Sequence, residues 1–255
     1  MLATIRRRLG AEAGFTMMEL VVGMSVGMVV LFGLYNLLDA VAPASNRVQD
    51  RVDAQARGRA AMEQMAQQLR TTVCVQNGVD VNDNATFWSP YKSATDTSVT
   101  FYTFTIDQAH AADVASGAFE PQRRTLAYAN GTITETVEQG TAAVPPDFTA
   151  TPAATRTVIS NVQPISGRPI FTFKGYSGTP ATLTTITPAD DGTGTVRVLD
   201  ADLPHIASID VNFRAVPSSG RNPAAGASFT DSINTRPSTD LSTDTTALRG
   251  PQCQI

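Results

Sequence analysis

A single carboxylate stands where a carboxylate is expensive. Glu19 is the one charged residue of positions 15–38, a run otherwise built of apolar, small and neutral polar residues. A charge inside such a segment is a functional candidate whose natural chemistry is pairing with a cation, because a carboxylate in low dielectric is tolerated when matched and costly alone. The competing reading is a Glu near a helix end that snorkels to the membrane interface. Cys74 and Cys253 are the only cysteines. They form a candidate disulfide closing a loop of about 180 residues, which contributes at most ~5 kcal/mol in the chain-entropy model. Free or intermolecular thiols remain the alternative, since sequence does not bring the two Cα atoms within ~7 Å.

The remaining reactive side chains form no constellation. His110 and His205 are too few and too far apart for a His-rich metal site. The segment Asp80-Val81-Asn82-Asp83-Asn84 starts like a calcium loop, but Ala85 stands where the turn glycine belongs and Tyr91 where the closing glutamate belongs. Asp190-Asp191-Gly192-Thr193-Gly194 reads as a turn between strands. No nucleophile elbow, phosphate loop or paired-histidine spacing occurs in the sequence. The expectation is a protein that is no enzyme, with neither cofactor nor metal. Formal net charge is −4 with 19 Lys+Arg against 23 Asp+Glu, so general nucleic-acid binding is disfavoured, although Arg123 and Arg124 make a local basic pair.

The elements that position Glu19 follow from the apolar run. Its 24 positions make a helix of about 36 Å against a hydrocarbon core of ~30 Å, so residues 15–38 can span a membrane. Arg6, Arg7 and Arg8 precede the run and no basic residue follows before Arg47, which predicts a cytoplasmic N-terminus and an extracytoplasmic remainder. A removable signal peptide is the alternative, with Ala40-Val41-Ala42 as a small-x-small site, but the run is longer than a signal core and Pro43 follows the site. Gly23 and Gly27 share one helix face and admit close approach of another helix, or are a chance pair.

From residue 47 to 73 the pattern turns amphipathic, with Val48, Val52, Ala56, Met62, Met65, Leu69 and Val73 at three- and four-residue intervals. Residues 39–73 are therefore expected to continue the helix outside the membrane, kinked or broken at Pro43 and softened at Gly58, with Met62 and Met65 packing in a core. Residues 74–255 read as a β-rich head beginning at a strand over 99–106, with a hairpin at 125–129 and 132–137 around Asn130-Gly131. Further strands are predicted at 156–160, 169–174, 193–199, 206–216 and 229–233. Long loops are expected at 141–154 and 217–227, and a polar tail at 238–246. The predicted class is α+β: a long N-terminal helix, transmembrane then amphipathic, and a globular antiparallel β head.

The segment Gly14-Phe15-Thr16-Met17-Met18-Glu19-Leu20 resembles the processing motif of type IV prepilins and type II secretion pseudopilins: a short basic leader, Gly, Phe, and Glu at the fifth mature position. The resemblance implies that residues 1–14 are a leader removed by a prepilin peptidase between Gly14 and Phe15 at the cytoplasmic face, and that the new Phe15 amine is methylated. It implies that Glu19 docks on the Phe15 amine of a neighbouring subunit. Met17 and Met18, where the family more often has Leu or Ile, are a conservative departure. The later elements look like the J-type pseudopilins and W-type minor pilins, through Arg59-Ala60-Ala61-Met62 leading to Leu69-Arg70, the strand at 126–128 with its hairpin, residues 158–162 before 171–173, and residues 206–211.

What this resemblance implies is a pilin-like fold and a minor pilin or pseudopilin, an assembly subunit of a type IV pilus, type II secretion or DNA-uptake pseudopilus. It would sit as a single-pass protein in the inner membrane and be incorporated in the pilus or pseudopilus. Its partners would be the prepilin peptidase, other pilins or pseudopilins, the inner-membrane assembly platform and the membrane. The alternative is an anchored extracytoplasmic β domain that binds a surface ligand in the manner of an adhesin.

Overall fold

The computed structural model describes residues 15–79, 81, 85–104, 120–149, 153–177, 182–220 and 222–235. Helix α1 runs over Met17–Arg70 with Pro43 inside it. Of the kink or break expected at Pro43, the break does not occur: proline removes one hydrogen bond and crowds the preceding turn, and the helical ladder on both sides carries through the defect. The chain divides into two compact units, Met1–Gln49 and Asp50–Ile255.

In the second unit the helix is amphipathic, but the face it buries is not the one its valines mark. Ala54, Ala61, Met62, Met65, Ala66 and Leu69 are buried, together with Gly58, at the i, i+4, i+7 spacing of one face. Val48, Val52 and Ala56 are exposed, which corrects the expected stripe. Small residues at 54, 58 and 61 let the backbone approach the sheets, and the larger Val52 stands off that surface. The helix also ends at Arg70, short of the predicted Val73: Thr72 bridges to Thr103, and Val73 N–H donates to Tyr102 O at 2.9 Å. Met62 and Met65 do pack in the core, as their spacing predicts.

Every strand pairing among the described residues of the head is antiparallel. Strands β1 (Val75–Val79) and β2 (Ala85–Trp88) form one small hairpin. The first five-stranded sheet has the order β3 (Tyr91–Ala94), β4 (Ser98–Phe104), β5 (Pro121–Ala129), β6 (Thr132–Gln139) and β7 (Ala154–Ser160). The second contains β8 (Val162–Gln163), β9 (Phe171–Ser177), β10 (Thr182–Ile186), β13 (Ile206–Ala215) and β14 (Ala227–Asn234), with β13 at its centre. Strands β11 (Ala189–Asp190) and β12 (Val196–Arg197) flank a tight turn. The hairpin around Asn130-Gly131 is as read, with positive φ at both residues.

Strands β1, β2, β3, β8, β10 and β11 fall outside the predicted set, because their short, mixed segments lack an apolar alternation long enough to register. The strand expected over 193–199 shrinks to two residues, because Gly192 and Gly194 both take positive φ and the Asp190 side chain accepts the amides of both. The tail at 238–246 lies outside the described residues. One apolar cluster joins the buried helix face to the inner residues of both large sheets, among them Phe101, Leu126, Ile133, Phe171, Phe173, Ile209 and Phe213. Each large side chain buried this way contributes about 1.5–3 kcal/mol relative to exposure. Tyr91, packed among them, has its phenol pushed up to about 12 by burial.

Gly58 is a contact residue and not the soft point its type suggests. A Cβ built there would lie 2.0 Å from Phe229 Cε2, and Phe229 itself stacks on Phe213 at 5.4 Å. Gly58→Ala is therefore expected to destabilise by about 1–3 kcal/mol through overpacking, despite the ~1 kcal/mol that alanine gains in helix propensity. Adding Phe229→Leu should recover most of the loss in a denaturation cycle. Additive losses would show that the two positions do not collide.

The first turns of this helix segment are held by polar contacts. Asp53 Oδ2 accepts hydrogen bonds from Ser218 N–H and Oγ–H, both at 2.9 Å, and Asp50 Oδ1 accepts one from Ser219 Oγ at 2.8 Å. The Ser218 amide, with the Ser218 hydroxyl and Arg57 beside it, holds the Asp53 carboxyl below its ordinary range. A depressed carboxyl adds stability above its unfolded pKa of ~3.9 that is lost as pH falls through the folded value. The wild-type thermal midpoint should thus fall more steeply than that of Asp53→Asn below about pH 4. Parallel curves from pH 2 to 6 would dismiss the linkage.

Candidate processing and membrane-anchoring site

Helix α1 opens two residues after Phe15, and the residues at that start cap it. Thr16 Oγ accepts the Glu19 amide at 3.3 Å, while the Glu19 carboxylate faces the Thr16 amide at 3.5 Å and the Thr16 hydroxyl at 3.4 Å. This is a reciprocal capping box, with Thr16 as N-cap and Glu19 three positions on. Glu19 therefore has a local partner within its own chain, and its negative charge lies in the first turn, where the helix dipole favours it. Thr16 was missed as a site residue, although Thr-x-x-Glu before an apolar run is a signal the sequence carries. Phe15 is 83% exposed, and Gly14 lies outside the described residues.

Beyond Glu19 the helix presents apolar side chains all round. Leu20, Val26, Leu31, Phe32 and Leu38 are each more than half exposed. The helix is long and apolar enough to cross a membrane, and it lies near the N-terminus. Ser25 and Asn36 cover their polar groups within the helix: Ser25 Oγ donates to Val22 O at 2.8 Å, and Asn36 Nδ2 to Phe32 O at 2.9 Å. Such self-satisfaction is what a segment surrounded by hydrocarbon requires. Cβ atoms built at Gly23 and Gly27 meet nothing within 4 Å, so that face is open.

The candidate disulfide is half visible. Cys74 is disulfide-bonded, and Cys253, its expected partner, lies outside the described residues. Flanking Val73 and Val75 join a second apolar cluster with Trp88, Tyr102 and Phe148, capped by the Arg123 guanidinium 4.8 Å from the Phe148 ring centroid. Alkylation of the native protein without reductant is expected to label neither cysteine, and after reduction both. Labelling of Cys253 without reductant would rule out the Cys74–Cys253 pair.

Other sequence candidates resolve into structure. Asp190 and Asp191 order the β11–β12 turn, and the Thr193 hydroxyl and amide with Arg197 drive the Asp191 carboxyl far below its usual range. Arg123 pairs with Glu138, and Arg124 with Glu135, so the local basic pair is neutralised within its own sheet. His205 closes a short 3-10 turn before β13, and His110 lies outside the described residues. No group of three or more His, Cys, Asp or Glu placed to hold a metal occurs among the described residues. No family model matches the chain, and no curated protein matches it in sequence.

Proposed function

We propose that this chain is a minor pilin or pseudopilin, anchored by residues 15–38 in the inner membrane with its β head outside the cytoplasm. A prepilin peptidase removes residues 1–14, the Phe15 amine is methylated, and Glu19 docks on the amine of a neighbouring subunit. Other pilins or pseudopilins and an inner-membrane assembly platform are its partners, and its mechanism is docking. The observation that supports this reading is the juxtaposition of an exposed Phe15, a helix start at Met17 and one carboxylate in the first turn of an otherwise apolar exposed helix. A carboxylate so placed needs a partner once lipid surrounds it, and an N-terminal amine created one turn away supplies that partner without adding a second charged side chain to the membrane.

The test is intact mass and N-terminal sequencing of protein from native membranes, beside a strain lacking the prepilin peptidase. A chain starting at methylated Phe15 only when the peptidase is present is the expected result. A chain starting at Met1 in both strains, or beyond Ala42, overturns the proposal.

A further inference from the structure

The helix in the head is held in two different ways along its length. Over residues 61–69 it is held by apolar packing, with Met62, Met65 and Leu69 buried. Over residues 50–58 only Asp50, Ala54 and Gly58 are buried, and an alanine and a glycine offer little apolar surface. Beside the small apolar contacts of Ala54 and of Gly58 with Phe229, what grips this stretch is one turn, residues 216–220. Ser218 and Ser219 donate to Asp53 and Asp50, and Arg57 donates to Val216 O.

Arg57 does more than meet the turn. Its Nη1 donates to Ser160 O at 3.1 Å, at the end of β7 in the first sheet, while Val216 follows β13 in the second. Its Nε contacts Asp53 Oδ2 at 3.2 Å. Val216 N–H in turn donates to Asn161 O at 2.8 Å, closing the same junction from the sheet side. One guanidinium therefore ties the helix to both sheets, using the planar fork that arginine alone provides.

We propose that Arg57 and residues 216–220 form a strap, and that this strap, more than the small apolar contacts of Ala54 and Gly58, keeps helix residues 50–58 docked on the head. The stretch is a local opening unit: releasing the strap frees it while residues 61–70 and both sheets stay folded. Such an uncoupling point lets the head change its attachment to the helix without unfolding.

Hydrogen exchange on the full chain in detergent micelles, read by mass spectrometry, tests the strap. In Arg57→Ala, amides of residues 50–59 are expected to exchange about tenfold faster or more, with those of β4–β6 and of residues 61–70 within about twofold of wild type. Ser218→Ala combined with Ser219→Ala leaves Arg57 in place and is expected to quicken the same amides alone, by about threefold. Unchanged exchange at 50–59 in both variants overturns the proposal, because packing would then hold the segment. Acceleration spread evenly through β4–β6, or failure of Arg57→Ala to fold together with no local effect in the serine variant, overturns it too, because Arg57 would then be part of global stability.

Discussion

Glu135→Ala is expected to lower the stability of the head by about 3–5 kcal/mol, the size of effect seen when one partner is removed from a buried ion pair. Glu135 is fully buried on the core-facing side of β6. Its carboxylate accepts from Arg124 Nη1 at 2.7 Å, from Gln68 Nε2 at 2.9 Å and from Arg156 Nε. The group thus joins three strands to the C-terminal turns of α1: Arg124 on β5, Glu135 on β6, Arg156 on β7 and Gln68 on the helix. Arg124 is only 16% exposed, so deleting the carboxylate strips a largely buried cation of its ion-pair partner, while its Nη2 still donates to Gln122 Oε1 at 2.7 Å. Arg156 is 58% exposed and can turn to water, so its share is small.

The measurement is a thermal or denaturant midpoint on the full chain in detergent, where a loss of this size shifts the midpoint by on the order of 10 °C for a domain of this size. Glu135→Gln should lose less, since it keeps one acceptor. Pairing Glu135→Ala with Arg124→Ala should cost less than the two single losses added, because the orphaned cation goes with its partner. A loss below about 1 kcal/mol for Glu135→Ala would show the site is hydrated and the network without weight.

Glu135 also marks where sequence reading was sharp and where it was blunt. The hairpin holding it was legible because Asn130-Gly131 sits between alternating segments, and that alternation already places Glu135 on the same face as Ile133. A carboxylate on a core-facing position is an anomaly that sequence shows, but its partners come from β5, β7 and α1 and need the register. The helix was legible as an element and misread as a surface. Valines at 48 and 52 carry more apolar weight than Ala54, Gly58 and Ala61, yet close approach to a sheet selects the small residues. The strap at residues 216–220 was invisible, because it joins residues more than 150 positions apart through serines that read as loop. Near Phe15 the reverse holds: the motif is local, and its geometry is local too.

Glu19→Gln separates the capping role that Glu19 has in its own helix from the docking role proposed for it. Glutamine serves at the third position of a capping box, so the variant keeps the helix start that Thr16 and Glu19 make together. It removes only the charge. If Glu19 matters as a cap, losing it altogether in Glu19→Ala costs about 0.5–2 kcal/mol of helix stability, and glutamine restores that. If it matters as the docking partner of a neighbour's Phe15 amine, glutamine leaves that amine unpaired in low dielectric, a penalty of about 3–5 kcal/mol. Docking should then weaken by roughly 10² to 10³-fold in Glu19→Gln and Glu19→Ala alike, at about 1.4 kcal/mol per tenfold.

The intrachain contacts favour the second outcome, since the two contacts to the Glu19 carboxylate, at 3.4 and 3.5 Å, are long for such bonds and leave the group available for exchange. The readout is the fraction of the chain crosslinked to neighbouring subunits in native membranes, with processing at Phe15 followed in parallel by mass. Normal processing with crosslinking lost in both variants is the expected pattern. Crosslinking retained in Glu19→Gln and lost in Glu19→Ala would assign Glu19 to the cap and remove the ion pair from the docking mechanism.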